Sequence, residues 1–201
     1  MPAGALRFDD GYGAPRTLTV ERAVAMSERP VTRAQYQAVM GVAPPTPTPD
    51  PLDPRPHPVK PADPATQLTV SQARAYCDAL SRAEGRAPHY ASGGDGYRLP
   101  SEAEWVMACA AGRPPAEAPA VHPWGAVPGE ALWEWVDDRF SRPGPDGRPV
   151  VAPGAGQVMR GAGRRLPPAD RCRERGELAP GSRGSATGFR VVRPLASTER
   201  R

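Results

Sequence analysis

Residues 97–112 read YRLPSEAEWVMACAAG, and the reading of the fold turns on them. Tyr97, Arg98 and Leu99 are extended, and Pro100 breaks the chain ahead of a helix. Ser101 is an N-cap, and Glu104, three residues on, is its reciprocal partner in a capping box. Trp105, Ala108 and Cys109 then fall on one helical face and point to a core. After Gly112 the composition returns to loop. The stretch is either an enzyme's signature or the frame of one.

Working outward, two more capped or periodic helices precede it. In VTRAQYQAVMG (31–41), Thr32 caps, Gln35 completes a capping box, Tyr36, Val39 and Met40 share a face, and Gly41 ends the helix. In TVSQARAYCDALSRAEG (69–85), Ala73, Tyr76, Cys77 and Leu80 follow the i, i+3, i+4, i+7 pattern, and Gly85 stops the helix. Residues 17–26, TLTVERAVAM, read as strand. Residues 44–64 carry ten prolines in 21 positions, which excludes helix and central strand and leaves an extended proline-rich loop. APHYASGGDG (87–96) reads as loop. Downstream, ALWEWVDD (131–138), GQVMRGAG (156–163) and GFRVVRP (188–194) read as short strands separated by irregular chain. In the first of these Trp133 and Trp135 alternate onto one face and Glu134 onto the other. Strand, helices, then short strands predict an α+β fold rich in irregular loops.

The composition bounds what the chain can do. Its 201 residues fit one domain, and 39% hydrophobic content supports a lean core. No apolar run has membrane-spanning length. The opening MPAGALRFDDGYGAPR has no apolar signal core, so a cytoplasmic location is expected. Cys77, Cys109 and Cys172 match neither a disulfide framework nor a zinc pattern, and are expected to be buried free thiols. Residues 139–201 hold 14 arginines and 5 acids, against 12 basic and 17 acidic residues before them. That basic third suits an anionic partner or a solvated face. It lacks the interleaved aromatics of a single-strand nucleic-acid binder, so nucleic acid is not the expected partner, although the charge leaves it open. The histidines His57, His89 and His122 have no ligand spacing to one another. SGGDG has no lysine or following helix to make a phosphate loop.

The words VTRAQYQAVMG, HPV, SQARAYCDALS, YRLPSEAEWVMACAAG, HPWG, WEWVDD, VMRGAG, ADRCR and GFRVVR occur in the order found in the formylglycine-generating enzyme family. This is the sulfatase-modifying-factor type of domain, a variant of the C-type lectin fold. The resemblance runs from Thr17 to Arg193. It implies an N-terminal extension at 1–16, a single domain at 17–193 containing the proline-rich loop, and a C-terminal tail at 194–201. Trp105, Trp124, Trp133, Trp135 and Phe189 are expected in its core.

The resemblance also implies which chemistry to look for. The family's enzymes oxidise a peptide cysteine with oxygen and hold copper(I) between two thiolates, a soft ligand pair suited to that ion. The matching segment here is RGAGRRLPPADRC (160–172). The first metal-cysteine position falls near Leu166, and Cys172 alone lies near the second, in a setting like that of the non-oxidase members. No metal site and no catalytic residue are therefore expected. The family's calcium loops are shortened too, and Glu134, Asp137 and Asp138 read as surface acids. Copper or calcium is expected only if the chain is an oxidase of peptide cysteine or an accessory subunit of an oxidase, the alternative function. The leading expectation is a catalytically silent module that binds a protein or ligand, in a larger assembly. Its expected contact surface is the arginine set Arg160, Arg164, Arg165, Arg171, Arg173 and Arg175, whose guanidiniums suit carboxylate or phosphate. Related retroelement-diversified proteins use this C-terminal region for variable ligand binding.

Overall fold

The computed structural model describes residues 2–9, 15–47, 58–112, 132–143, 149–161, 172–184 and 186–195. The strands β1 (Gly4–Phe8) and β2 (Arg16–Val20) form an antiparallel hairpin. β3 (Val24–Met26) pairs with β10 (Val192–Pro194), so the two ends of the fold meet. The helices α1 (Arg33–Met40), α2 (Val70–Ala83), the short α3 (His89–Ser92) and α4 (Glu102–Gly112) follow. A central sheet then takes the order β8–β7–β4–β9, from β4 (Trp133–Arg139), β7 (Gln157–Arg160), β8 (Arg175–Leu178) and β9 (Thr187–Phe189). β4 runs antiparallel to β7 and parallel to β9. A small pair, β5 (Arg142–Pro143) and β6 (Pro149–Val150), completes the strands.

The helix starts are where the capping residues put them. Thr32 and Gln35 form a reciprocal capping box, and Gly41 closes α1 in the left-handed region at φ 72°. Thr69 and Gln72 form a second box at α2. In the opening stretch, Ser101 N–H donates to Glu104 Oε2 at 2.7 Å, and Glu104 N–H donates to Ser101 Oγ at 3.1 Å. Ahead of this box, Arg98 and Val192 exchange backbone hydrogen bonds at 2.9 and 2.8 Å, which ties the stretch to the last strand. Tyr97 N–H donates to Ser81 Oγ and Leu99 N–H to Tyr90 Oη, which tie it to α2 and α3.

Alternation along β4 and β7 builds a three-layer molecule. Trp133, Trp135 and Met159 face the helices α1 and α2, in a core with Tyr36, Leu68, Tyr76, Cys77, Leu99 and Phe189. Val136 and Val158 face α4 and the β1–β2 hairpin, in a second core with Leu18, Trp105, Val106 and Phe140. Trp135 is fully buried, and its indole N–H donates to Leu68 O at 3.0 Å. Trp105 and Phe189 are also buried as expected, while Trp124 lies outside the described residues.

Four expectations need correction. The segment 1–16 is not a bare extension, because β1 within it pairs with β2 along its whole length. The strand expected over 17–26 is two strands, since it leaves the hairpin after Val20 and pairs with β10 from Val24. The loop at 87–96 contains α3, closed by Gly93 at φ 67°. The three cysteines are not all free: Cys109 and Cys172 form a disulfide, and Cys77 alone is a buried thiol. Spacing in sequence could not show a pairing 63 residues apart.

Truncating Trp135 removes both its packing and the bond to Leu68. Trp135→Ala is expected to cost about 3–5 kcal/mol, and Thr32→Ala about 1 kcal/mol through the lost cap. Urea denaturation of both variants measures this, and equal midpoints for the two would contradict the assignment of Trp135 to the core.

Candidate functional site

The region expected to carry function begins at β7 and ends at β8. Register places Arg160 opposite Arg175 on one side and opposite Glu134 on the other. All three point to the α4 face of the sheet, the face that Val158 and Val136 also take. Glu102, in the first turn of α4, sits over this row. Its Oε1 lies 2.7 Å from Arg160 Nη2, 2.6 Å from Arg175 Nε and 3.1 Å from Arg16 Nη2. Arg175 Nη2 also donates to Glu102 Oε2 at 3.1 Å. Arg160 is fully buried and Arg175 is 4% exposed. Their guanidiniums also stack on Phe8 and Phe140 respectively. Arg160 further donates to the carbonyls of Arg173 and Glu174.

These two arginines are therefore not surface groups, which corrects the expectation that they line a contact surface. Arg173 does keep an exposed side chain, 56% accessible, with a bond to Asp9 O and a 3.8 Å ion pair to its carboxylate. Arg164, Arg165 and Arg171 lie outside the described residues.

Three acids read as surface groups are also resolved. Glu134 is buried, accepts from Trp105 Nε1 at 3.0 Å and pairs with Arg190 at 2.8 Å. Asp137, on the opposite face, pairs with Arg74 of α2 at 2.8 Å. Asp138 accepts from Glu102 N–H at 2.6 Å, so it caps α4 from the neighbouring strand. Of the three histidines, His57 and His122 lie outside the described residues, and His89 opens α3 with Nδ1 3.2 Å from Gly94 O. A polar cavity of about 340 Å³ opens at the N-terminal end of α4, lined by residues that include Glu21, His89, Arg98, Glu104 and Asp137. Arg98 and Glu104 meet there in a bidentate pair at 2.6 Å.

Among the described residues, no three His, Cys, Asp or Glu side chains gather as a metal site would need. Cys172, the residual match to the family's metal cysteines, has its sulfur bonded to Cys109. In that state it is not a thiolate and cannot ligate copper(I). Closing 63 residues with this bond restricts the unfolded chain by about 4 kcal/mol.

Sequence reasoning missed Glu102, the group that holds the arginine row. It stands in the first turn of α4, where an acid is ordinary. A signal was present in β7: Arg160 shares parity with Val158, so a buried strand face had to bury an arginine as well. The same parity argument applied across to Arg175 calls for a buried carboxylate between them.

The chain belongs to the sulfatase-modifying factor enzyme 1-like domain family, which its residues 1–131 match. Solved structures of similar fold include Treponema denticola variable protein 1, at 21% identity and TM-score 0.70, covering 97% of this chain and 94% of that one. CarF is similar at 17% identity and TM-score 0.67, with 97% of each chain covered. PvdO from Pseudomonas aeruginosa is similar at 22% identity and TM-score 0.67, covering 97% and 93%. At these identities the likeness concerns the fold alone. No curated protein sequence matches the chain.

Electrostatics sets the acid behaviour. Burial by itself would raise the Glu102 carboxyl, but Arg160, Arg175 and Arg16 outweigh it and hold its pKa below the ordinary 4.5. Burial likewise acts against Glu104, and Arg98 and the Ser101 cap outweigh it. Both groups then contribute stability that is present above the unfolded-state pKa and lost as pH falls through the folded one. Asp138 runs the other way, because desolvation raises its pKa. The expected net result is a urea midpoint that falls below about pH 4.5. Glu102→Gln leaves the arginines facing each other without a countercharge, and is expected to cost about 3–5 kcal/mol at pH 7 and to flatten the acid limb. An unchanged midpoint at pH 7 would contradict the role given to Glu102.

Proposed function

We propose that this chain is a catalytically silent member of its family that works as a protein- or ligand-binding subunit, in a larger assembly. The observation that carries the reading is the commitment of Cys172 to a disulfide with Cys109. The oxidase reading needs two free thiolates in one segment; Leu166 stands near the first position, and the sulfur near the second is already bonded. Support for a binding role comes from the frame itself. Capped helices and two cores hold the roots of long connections, and such connections change without loss of the core. The contact surface is the remaining arginine set of that connection, Arg164, Arg165, Arg171 and Arg173, and the partner presents carboxylate or phosphate groups. Among the described residues no helix is long and apolar enough to cross a membrane. The disulfide moves the expected compartment from the cytoplasm to an oxidising one, because cytosolic thiols are kept reduced.

Two measurements test this. Copper(I) loading of the protein as isolated is expected to leave far less than one ion per chain, with no change in Cys172→Ala. Stoichiometric, cysteine-dependent copper overturns the silent reading. Affinity capture from the native source, followed by size exclusion, is expected to yield a stoichiometric partner. That partner should be lost when Arg164, Arg165 and Arg173 are replaced by Glu. A partner retained by the triple variant removes the arginine surface from the proposal.

A further inference from the structure

The segment Cys172–Arg175 is fastened to α4 at both of its ends. At one end, Cys172 is bonded to Cys109. At the other, Arg175 is held by Glu102 through Nε at 2.6 Å and Nη2 at 3.1 Å. Residues 102 and 109 are seven apart on α4, which is about 10 Å along the axis and nearly the same face. Cys172 and Arg173 form a turn, and the chain becomes strand at Arg175. The segment therefore runs against the direction of α4 as a strap, with Cys172 held at the later helix residue and Arg175 at the earlier one. Between the fastenings, Arg173 reaches Asp9 at the end of the β1–β2 hairpin, and the carbonyls of Arg173 and Glu174 accept from Arg160.

The two fastenings differ in kind. The Glu102 end is buried, is shared with Arg160 and Arg16, and belongs to the sheet. The disulfide end is half-buried on both sides and lies at the edge of the second core. A small thiol reagent can reach the second without opening the first. We infer that the Cys109–Cys172 disulfide is a redox-released clasp: its reduction frees one end of the strap and loosens the hairpin contact, while the Glu102 cluster keeps the fold intact. The step is an ordinary exchange with a dithiol. The Sγ–Sγ bond breaks, the two sulfurs of the chain take up two electrons and two protons, and the dithiol closes to its own disulfide.

The chain carries its own control. Cys77 is fully buried, and burial pushes its thiol well above the ordinary value, so it stays silent while the fold holds. The full-length protein is treated with dithiothreitol without denaturant and titrated with a thiol-reactive chromophore. Two thiols per chain are expected, with the third appearing only after unfolding. Hydrogen exchange of the same sample is expected to rise roughly tenfold or more for amides of 173–174 and 4–8, with those of β8, α2 and β4 unchanged. The double variant Cys109→Ser/Cys172→Ser is expected to show the same exchange pattern without reductant. Three results overturn the inference. If three thiols react together, or α2 and β4 lose protection, the disulfide is a staple of the whole fold. If 173 and 174 exchange at the oxidised rate, the ion cluster alone holds the strap.

Discussion

Two arginines stand directly opposite each other on neighbouring strands of this sheet, an arrangement that repels. Both are buried cations. The arrangement exists because Glu102 is placed above them by the first turn of α4. Much else follows from that placement. It requires α4 to start where it does, which the Ser101–Glu104 box and Asp138 enforce. It draws Arg16, and with it the β1–β2 hairpin, onto the same face. It fixes the end of β8, and so the exit of the connection from β7. One carboxylate joins the N-terminal hairpin, the third long helix and the strands β7 and β8.

The charge row continues past these groups. Glu134 lies next to Arg160 in the register and is itself held by Arg190 and by the indole of Trp105. Burying so many ions is expensive, and such pairs are weak contributors to net stability compared with apolar packing. Their use here is positional. Each guanidinium has a small number of directions in which it can be satisfied, so the relative placement of α4 and the sheet is narrowly specified. The apolar contacts of Val136, Val158 and Trp105 then fill the same interface.

Much of the frame was legible in the sequence because its signals are local. Capping boxes at Thr32 and Ser101, the apolar stripe of α2 and the Trp-Glu-Trp alternation each lie within a few residues, and each predicted the element found. What stayed hidden was non-local. The Cys109–Cys172 bond and the Glu102–Arg175 pair join residues far apart, and no spacing rule reaches them. The errors over charged residues share one cause. Charged residues were assigned to the surface by type, whereas in β4, β7 and β8 the parity of the neighbouring apolar residues decides their side. Arg160 follows Val158 inward, and Glu134 goes inward beside Val136.

That parity has a consequence for the evolution of the chain. In β4, odd positions carry Trp133, Trp135 and Asp137, and even positions carry Glu134, Val136 and Asp138. A slip of one residue against β7 would drive two carboxylates into the aromatic core beneath α1 and α2 and turn both indoles toward Arg160. Neither face could absorb the exchange. Single-residue insertions and deletions are thus disfavoured between Trp133 and Trp135, where the pairing is regular, while the register already shifts between Trp135 and Arg139. Changes in length are absorbed at least cost in the connections, and the Trp133–Trp135 segment is the fixed reference against which those connections lengthen or shrink.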